Sequence, residues 1–147
     1  MPLLAGFGHG RLRGWQVAGK RNDMSPYFLV MAGGALGAGM RYQVSRWLPM
    51  GTGWPWATFA VNVAGGLAMG LLAAWAMRTG HAGEGVRLLL GAGILGGFTT
   101  FSAFSLEMAM MIERGQLGMA MGYALASVVL ALLAVFAGLA VGRGVWA

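Results

Sequence analysis

An apolar stretch from about Val86 to Ile112 is interrupted at its centre by Gly96-Gly97-Phe98-Thr99-Thr100-Phe101-Ser102-Ala103-Phe104. Two glycines followed by two β-branched threonines make a poor helix interior. Inside a bilayer a helix opens only where protein, water or an ion takes up the freed backbone groups. The pattern therefore predicts a third helix broken at mid-membrane, with an ion site at the break, like the interrupted helices of transporters. Phe101 and Phe104 lie three residues apart and are expected to share one helix face.

The bilayer itself follows from composition. The chain is 58% hydrophobic and 10% charged, whereas a soluble domain carries about 25% charged residues. At 147 residues it has no room for a separate soluble domain. Cysteine is absent, which excludes disulfides and thiolate metal sites. The net charge is +6, from 10 Lys+Arg scattered among apolar runs. That scatter makes a poor phosphate-binding patch and argues against nucleic acid; the charges are expected at membrane interfaces.

Residues 1–24 are glycine-rich and basic and lack the apolar core of a secretory signal. They read as a disordered tail or an over-extended gene start, with Met24 as the initiator. The four-helix transmembrane domain is expected over 25–143, with 144–147 as a short tail. Ser25-Pro26 reads as a helix start. Helix one runs to about Leu48 and stops at Pro49. Pro55 opens helix two, which continues to about Met77 and carries Thr58 and Asn62 on one face. Helix three spans about Val86 to Glu113 and ends at Arg114-Gly115. Helix four runs from about Leu117 to Val141, with Tyr123 and Ser127 at a spacing of four. Each is near the roughly 20 residues a bilayer requires. Gly33/Gly37, Gly66/Gly70 and Gly138/Gly142 form Gly-xxx-Gly pairs, the spacing of close helix packing. The fold class is an all-α membrane protein with four transmembrane helices. A protomer this small encloses a solvated pathway poorly, so self-assembly is expected.

Four crossings put Arg11, Arg13, Lys20, Arg21, Arg78, Arg87 and Arg143 on one side, and Arg41, Arg46 and Arg114 on the other. Without the residues before Met24, three face three. The positive-inside rule then sets no orientation, and such a chain can insert both ways and pair antiparallel with itself. With the tail, the bias holds the N-terminus inside.

Catalysis finds no support. The acids are Asp23, Glu84, Glu107 and Glu113, and only Glu107 falls well within a helix. His9 and His81 lie in tail and loop. No carboxylate pair, Ser-His arrangement or metal-ligand spacing emerges. The intramembrane polar groups that remain are Asn62, Thr99, Thr100, Ser102, Ser105, Tyr123 and Ser127. A lone Ser or Thr in a helix most often bonds back to its own backbone, and an aromatic at helical spacing most often packs. Yet a phenyl ring has a positive edge. Ring edges beside neutral donors suit a small anion stripped of water, because selectivity filters replace hydration with fixed dipoles.

Three motifs then match one family in order. GGALGAGMRY in helix one, WATFAVNVAGG in helix two and GGFTTFSAFSLE in helix three resemble the Fluc (CrcB) fluoride channels, from about Met24 to Arg143. The resemblance implies a passive fluoride channel of the cell (inner) membrane. It is built as an antiparallel, dual-topology homodimer with two pores. It also implies a central structural sodium ion held by the backbone carbonyls of Gly96 and Thr99. Phe101 and Phe104 would turn ring edges to fluoride, and Asn62 would donate to it. Tyr123 and Ser127 would form a polar track on helix four, Ser102 would line the pore, and Arg41 would take a vestibule or structural role. The role of Glu107 stays open. Ala57 stands where the family usually has glycine, and Ala103 where threonine is common. The alternative is a small four-helix proton-coupled multidrug exporter. Such a protein needs a membrane-embedded carboxylate in helix one, and none is present there.

Overall fold

A computed structural model describes residues 25–48, 53–79 and 83–145. The expected tail and Pro49 lie outside them. All regular structure among the described residues is helical. Four long helical stretches run through the described residues. The first is α1, Ser25–Trp47, and the second is α2, Trp56–Thr79. The third is composite: α3 (Glu84–Val86), a π-helical segment (Arg87–Leu95), α4 (Gly96–Phe98) and α5 (Ser102–Glu113). The fourth is α6, Leu117–Val145. Trp56–Met77, Glu84–Glu113 and Leu117–Gly144 are each long and apolar enough to cross a membrane, so this is a multi-pass membrane protein. α1 has the length, at 23 residues, but its four glycines and the polar run Arg41 to Arg46 dilute its apolar character.

The ends follow local chemistry. Pro55 precedes α2 and its carbonyl accepts the Phe59 N–H at 3.1 Å, an arrangement that needs no proline N–H. After α5, Gly115 adopts φ 73°, open to glycine at little steric cost. Its N–H then reaches the Ile112 carbonyl and that of Gln116 the Met111 carbonyl, both at 2.9 Å. This is the Schellman stop, and it turns the chain into α6.

Packing is by glycine. α1 lies along the π-helical segment, and α2 along α6. A Cβ on Gly33 would stand 2.5 Å from the Leu89 carbonyl oxygen and 2.9 Å from the Gly93 Cα. Gly37 faces the Ile94 carbonyl, Gly66 the Ala131 carbonyl, Gly70 the Val135 carbonyl and Gly138 the Leu67 carbonyl. The glycine spacing thus does bring backbones together. Replacing Gly37 by Leu drives a side chain into the third crossing's backbone. Overpacking of this kind costs about 1–3 kcal/mol or more, and a thermal-unfolding scan in detergent should show a clear drop. Gly39→Ala, where the added Cβ meets nothing within 4 Å, should leave the midpoint unchanged.

Candidate functional site

The third crossing breaks where the two threonines stand. Thr99 leaves helical geometry with φ −75° and ψ 160°, and helix resumes at Ser102. Asn62 of α2 meets the opening. Its Oδ1 accepts the Thr100 N–H at 2.9 Å, and its Nδ2 donates to the Thr100 carbonyl at 3.0 Å. The Thr100 hydroxyl oxygen in turn accepts the Ala103 N–H at 3.2 Å and lies 3.4 Å from the Ser102 hydroxyl.

These contacts divert two helical donors. In an unbroken helix the Thr100 N–H would serve the Gly96 carbonyl, and the Ala103 N–H would serve the Thr99 carbonyl. Both go to side chains instead, which frees those two carbonyl oxygens. They are the pair that the resemblance assigns to sodium. Uncharged oxygen ligands suit a hard cation, so the donor chemistry fits. The Thr99 side chain takes no part in this, since its hydroxyl donates back to the Leu95 carbonyl at 3.0 Å. Ser105 likewise donates to the Phe101 carbonyl at 2.9 Å. For these two hydroxyls the ordinary back-bonded reading holds.

Beside the break lies an open cleft of about 490 Å³, lined among others by Asn62, Gly96, Thr99, Phe101, Phe104 and Ser127. Most of the expected residues therefore converge. Asn62 uses one amide hydrogen on Thr100 and has one more to offer. Ser127 is buried, and its Oγ has no hydrogen-bond partner among the described residues. A buried hydroxyl without a partner is costly, so this one is available to a guest. Ser127→Ala should slow ion flux severalfold without lowering thermal stability. Ser105→Ala, whose hydroxyl is spent on its own helix, should leave flux unchanged when both variants are compared in liposomes.

The single-face expectation for the phenylalanines holds. Phe101 is the N-cap of α5 with helical φ −95° and ψ −32°, and its carbonyl accepts the Ser105 N–H at 2.9 Å. Its ring touches that of Phe104, with centroids 5.7 Å apart. Phe104 is 9% exposed, packed with Tyr123 and Met111, whereas Phe101 is 79% exposed. Arg41 lines a different, smaller cavity of about 270 Å³ with Tyr42, Ser45, Thr58 and Thr100. Thr100 is the residue shared by the two spaces. Ser102 is exposed and borders neither.

Glu107, left without a role by sequence reasoning, is a junction. Thr58 of α2 donates to its Oε1 at 2.6 Å, and Tyr123 of α6 donates to its Oε2 at 2.8 Å. One carboxylate on α5 therefore ties three helices. Tyr123 is fully buried and has a single hydroxyl proton. That proton goes to Glu107, so Tyr123 and Thr58 together hold the carboxylate. The available signal was Thr58, one turn before Asn62 on a membrane helix that holds few polar groups.

The model of the family described as "CrcB-like protein, Camphor Resistance (CrcB)" matches residues 28–139. The chain belongs to this CrcB-like family. Curated relatives agree. It is 56% identical over 129 residues to the fluoride-specific ion channel FluC of Phenylobacterium zucineum, covering 84% of this chain and 100% of the relative. Against the FluC of Caulobacter vibrioides the identity is 52% over 127 residues, with 84% and 100% covered. Against that of Novosphingobium aromaticivorans it is 48% over 126 residues, with 83% and 99% covered. The CrcB-like match takes in the break, Asn62, Glu107 and Tyr123 together.

Proposed function

We propose that this chain is a fluoride-selective passive channel of the cell inner membrane, working as an antiparallel pair with two pathways. The observation that carries the reading is the cleft beside the break, which offers neutral donors and a ring pair to an anion and no free carboxylate. A second amide hydrogen of Asn62 and the hydroxyl of Ser127 can replace part of an anion's hydration. Phe101 and Phe104 can add positive ring edges. Glu107, the acid nearest in the fold, has an accepted hydrogen bond on each oxygen. The curated relatives are named fluoride-specific ion channels.

Pairing is supported by what one copy leaves open. Phe101 and Gly96 are exposed at the cleft, and a Cβ on Gly96 would meet nothing closer than 3.6 Å within its own chain. A second copy across that face would cover both residues and add two more freed carbonyls. A sodium ion there would supply fixed positive charge between the two breaks. The chain's own part is to hold those carbonyls open through Asn62 and Thr100. A membrane potential of 100 mV is worth about 2.3 kcal/mol per charge, enough to drive an anion out without a pump.

Purified chain in liposomes, with a potassium gradient and valinomycin, should release fluoride to an electrode while chloride stays. Raising sodium should also raise the thermal midpoint. Absence of fluoride release from the parent protein would overturn the functional reading. Fluoride release with a midpoint indifferent to sodium would overturn the ion assignment alone.

A further inference from the structure

A second groove lies away from the cleft, between α2 and the π-helical segment. Because α2 packs along α6 and α1 packs along the π-helical segment, these two elements part and leave a space of about 650 Å³. Its lining includes Met69, Leu72, Ala76, Met77 and Gly91, all apolar, and a single charged residue, Arg87. Met77 is the last residue of its membrane-spanning stretch, and Arg87 opens the π-helical segment three residues after Glu84. Both therefore stand at the headgroup end. From Met77 to Met69 the groove runs roughly 12 Å inward, at about 1.5 Å per residue. A leaflet's hydrocarbon is about 15 Å deep, half of a core roughly 30 Å thick.

Arg87 is exposed, and its guanidinium makes no hydrogen bond or ion pair with another described residue. Glu84, one turn earlier, does not pair with it. We infer that this groove holds one acyl chain of an anionic phospholipid, whose phosphate sits on the Arg87 guanidinium. An arginine fork matches phosphate geometry, and the remaining wall asks only for hydrocarbon. A helix of a second copy laid here would cover the guanidinium with apolar surface and leave its charge without a counterpart. Met69 lines both this groove and the cleft, so the lipid borders the face left open for pairing.

The test uses the full chain extracted from bilayers of equal phosphatidylglycerol and phosphatidylcholine, with retained lipid counted by native mass spectrometry. Phosphatidylglycerol should be enriched about fivefold, the effect of roughly 1 kcal/mol per basic group near anionic lipid. Arg87→Gln should remove the preference and keep the total. Gly91→Leu should lower the total for both lipids, because its added Cβ makes only an ordinary 3.6 Å contact with Leu72. Ala92→Leu, on the same wall, is the second filler should Gly91→Leu not fold. Added inorganic phosphate should displace nothing. Equal retention by the parent, or a preference that survives Arg87→Gln, overturns the proposal. So does an Ala76→Cys variant that cross-links between copies with no lipid retained.

Discussion

Asn62→Leu should abolish fluoride release and destabilise the protein. The substitution keeps the bulk and removes both partners of the Thr100 peptide unit. An N–H and a carbonyl then stand unpaired in a low-dielectric setting, at about 1–3 kcal/mol each. The relaxed state is one in which Thr100 N–H returns to the Gly96 carbonyl and the helix closes over the break. That recaptures a carbonyl proposed for the cation, and the cleft loses its second amide donor. Asn62→Asp separates the two losses. Its carboxylate still accepts the Thr100 N–H but cannot donate to the Thr100 carbonyl, and it places negative charge beside the cleft. It should therefore keep more stability than Asn62→Leu and still release no fluoride. Electrode recordings beside thermal scans decide this. An Asn62→Asp protein that conducts like the parent removes Asn62 from the pathway.

The second large effect is expected at Glu107. Glu107→Leu leaves the Thr58 and Tyr123 hydroxyls without their acceptor in a packed interior. The loss should be about 2–4 kcal/mol, since each buried hydroxyl is left unsatisfied. Glu107→Gln tests the chemistry more finely. Its amide oxygen can accept from one hydroxyl, but its NH₂ must donate to the other. Whichever hydroxyl receives that bond has its own proton released. If Tyr123 is the one freed, a donor is added near Ser127, and flux should change while the thermal midpoint barely moves. A double-mutant cycle of Glu107→Gln with Tyr123→Phe should show strong coupling, because both changes act on one proton. Additive effects on flux would mean that the two residues act independently.

The break was legible because Gly96-Gly97 and Thr99-Thr100 are each poor in a helix, and nothing nearby compensates. The helix ends were legible for the same local reasons: Pro55 stands directly before one helix and Arg114-Gly115 stops another. What sequence could not show depends on distance along the chain. Asn62 and Thr100 are 38 residues apart and Thr58 and Glu107 are 49 apart. Neither pairing leaves a local pattern. The shared face of Phe101 and Phe104 was legible because Phe101 already has the backbone angles of the helix that carries Phe104; their unequal burial was not, since it depends on what packs against each ring. The two residues of the track expected on α6 lie in different surroundings. Ser127 offers its hydroxyl to the cleft, whereas Tyr123 spends its proton on Glu107, a partner that only the packed helices reveal.

The π-helical run from Arg87 to Leu95 carries no compositional mark, yet it sets the angular phase of everything downstream. Its wider turns hold more residues than α turns do. Tightening it by one residue's worth would rotate the threonines by about 100° around the axis, away from Asn62. The aim of the opening is thus dialled in a full turn or more upstream, by backbone winding alone. A one-residue deletion there would misdirect a site whose own residues were all intact.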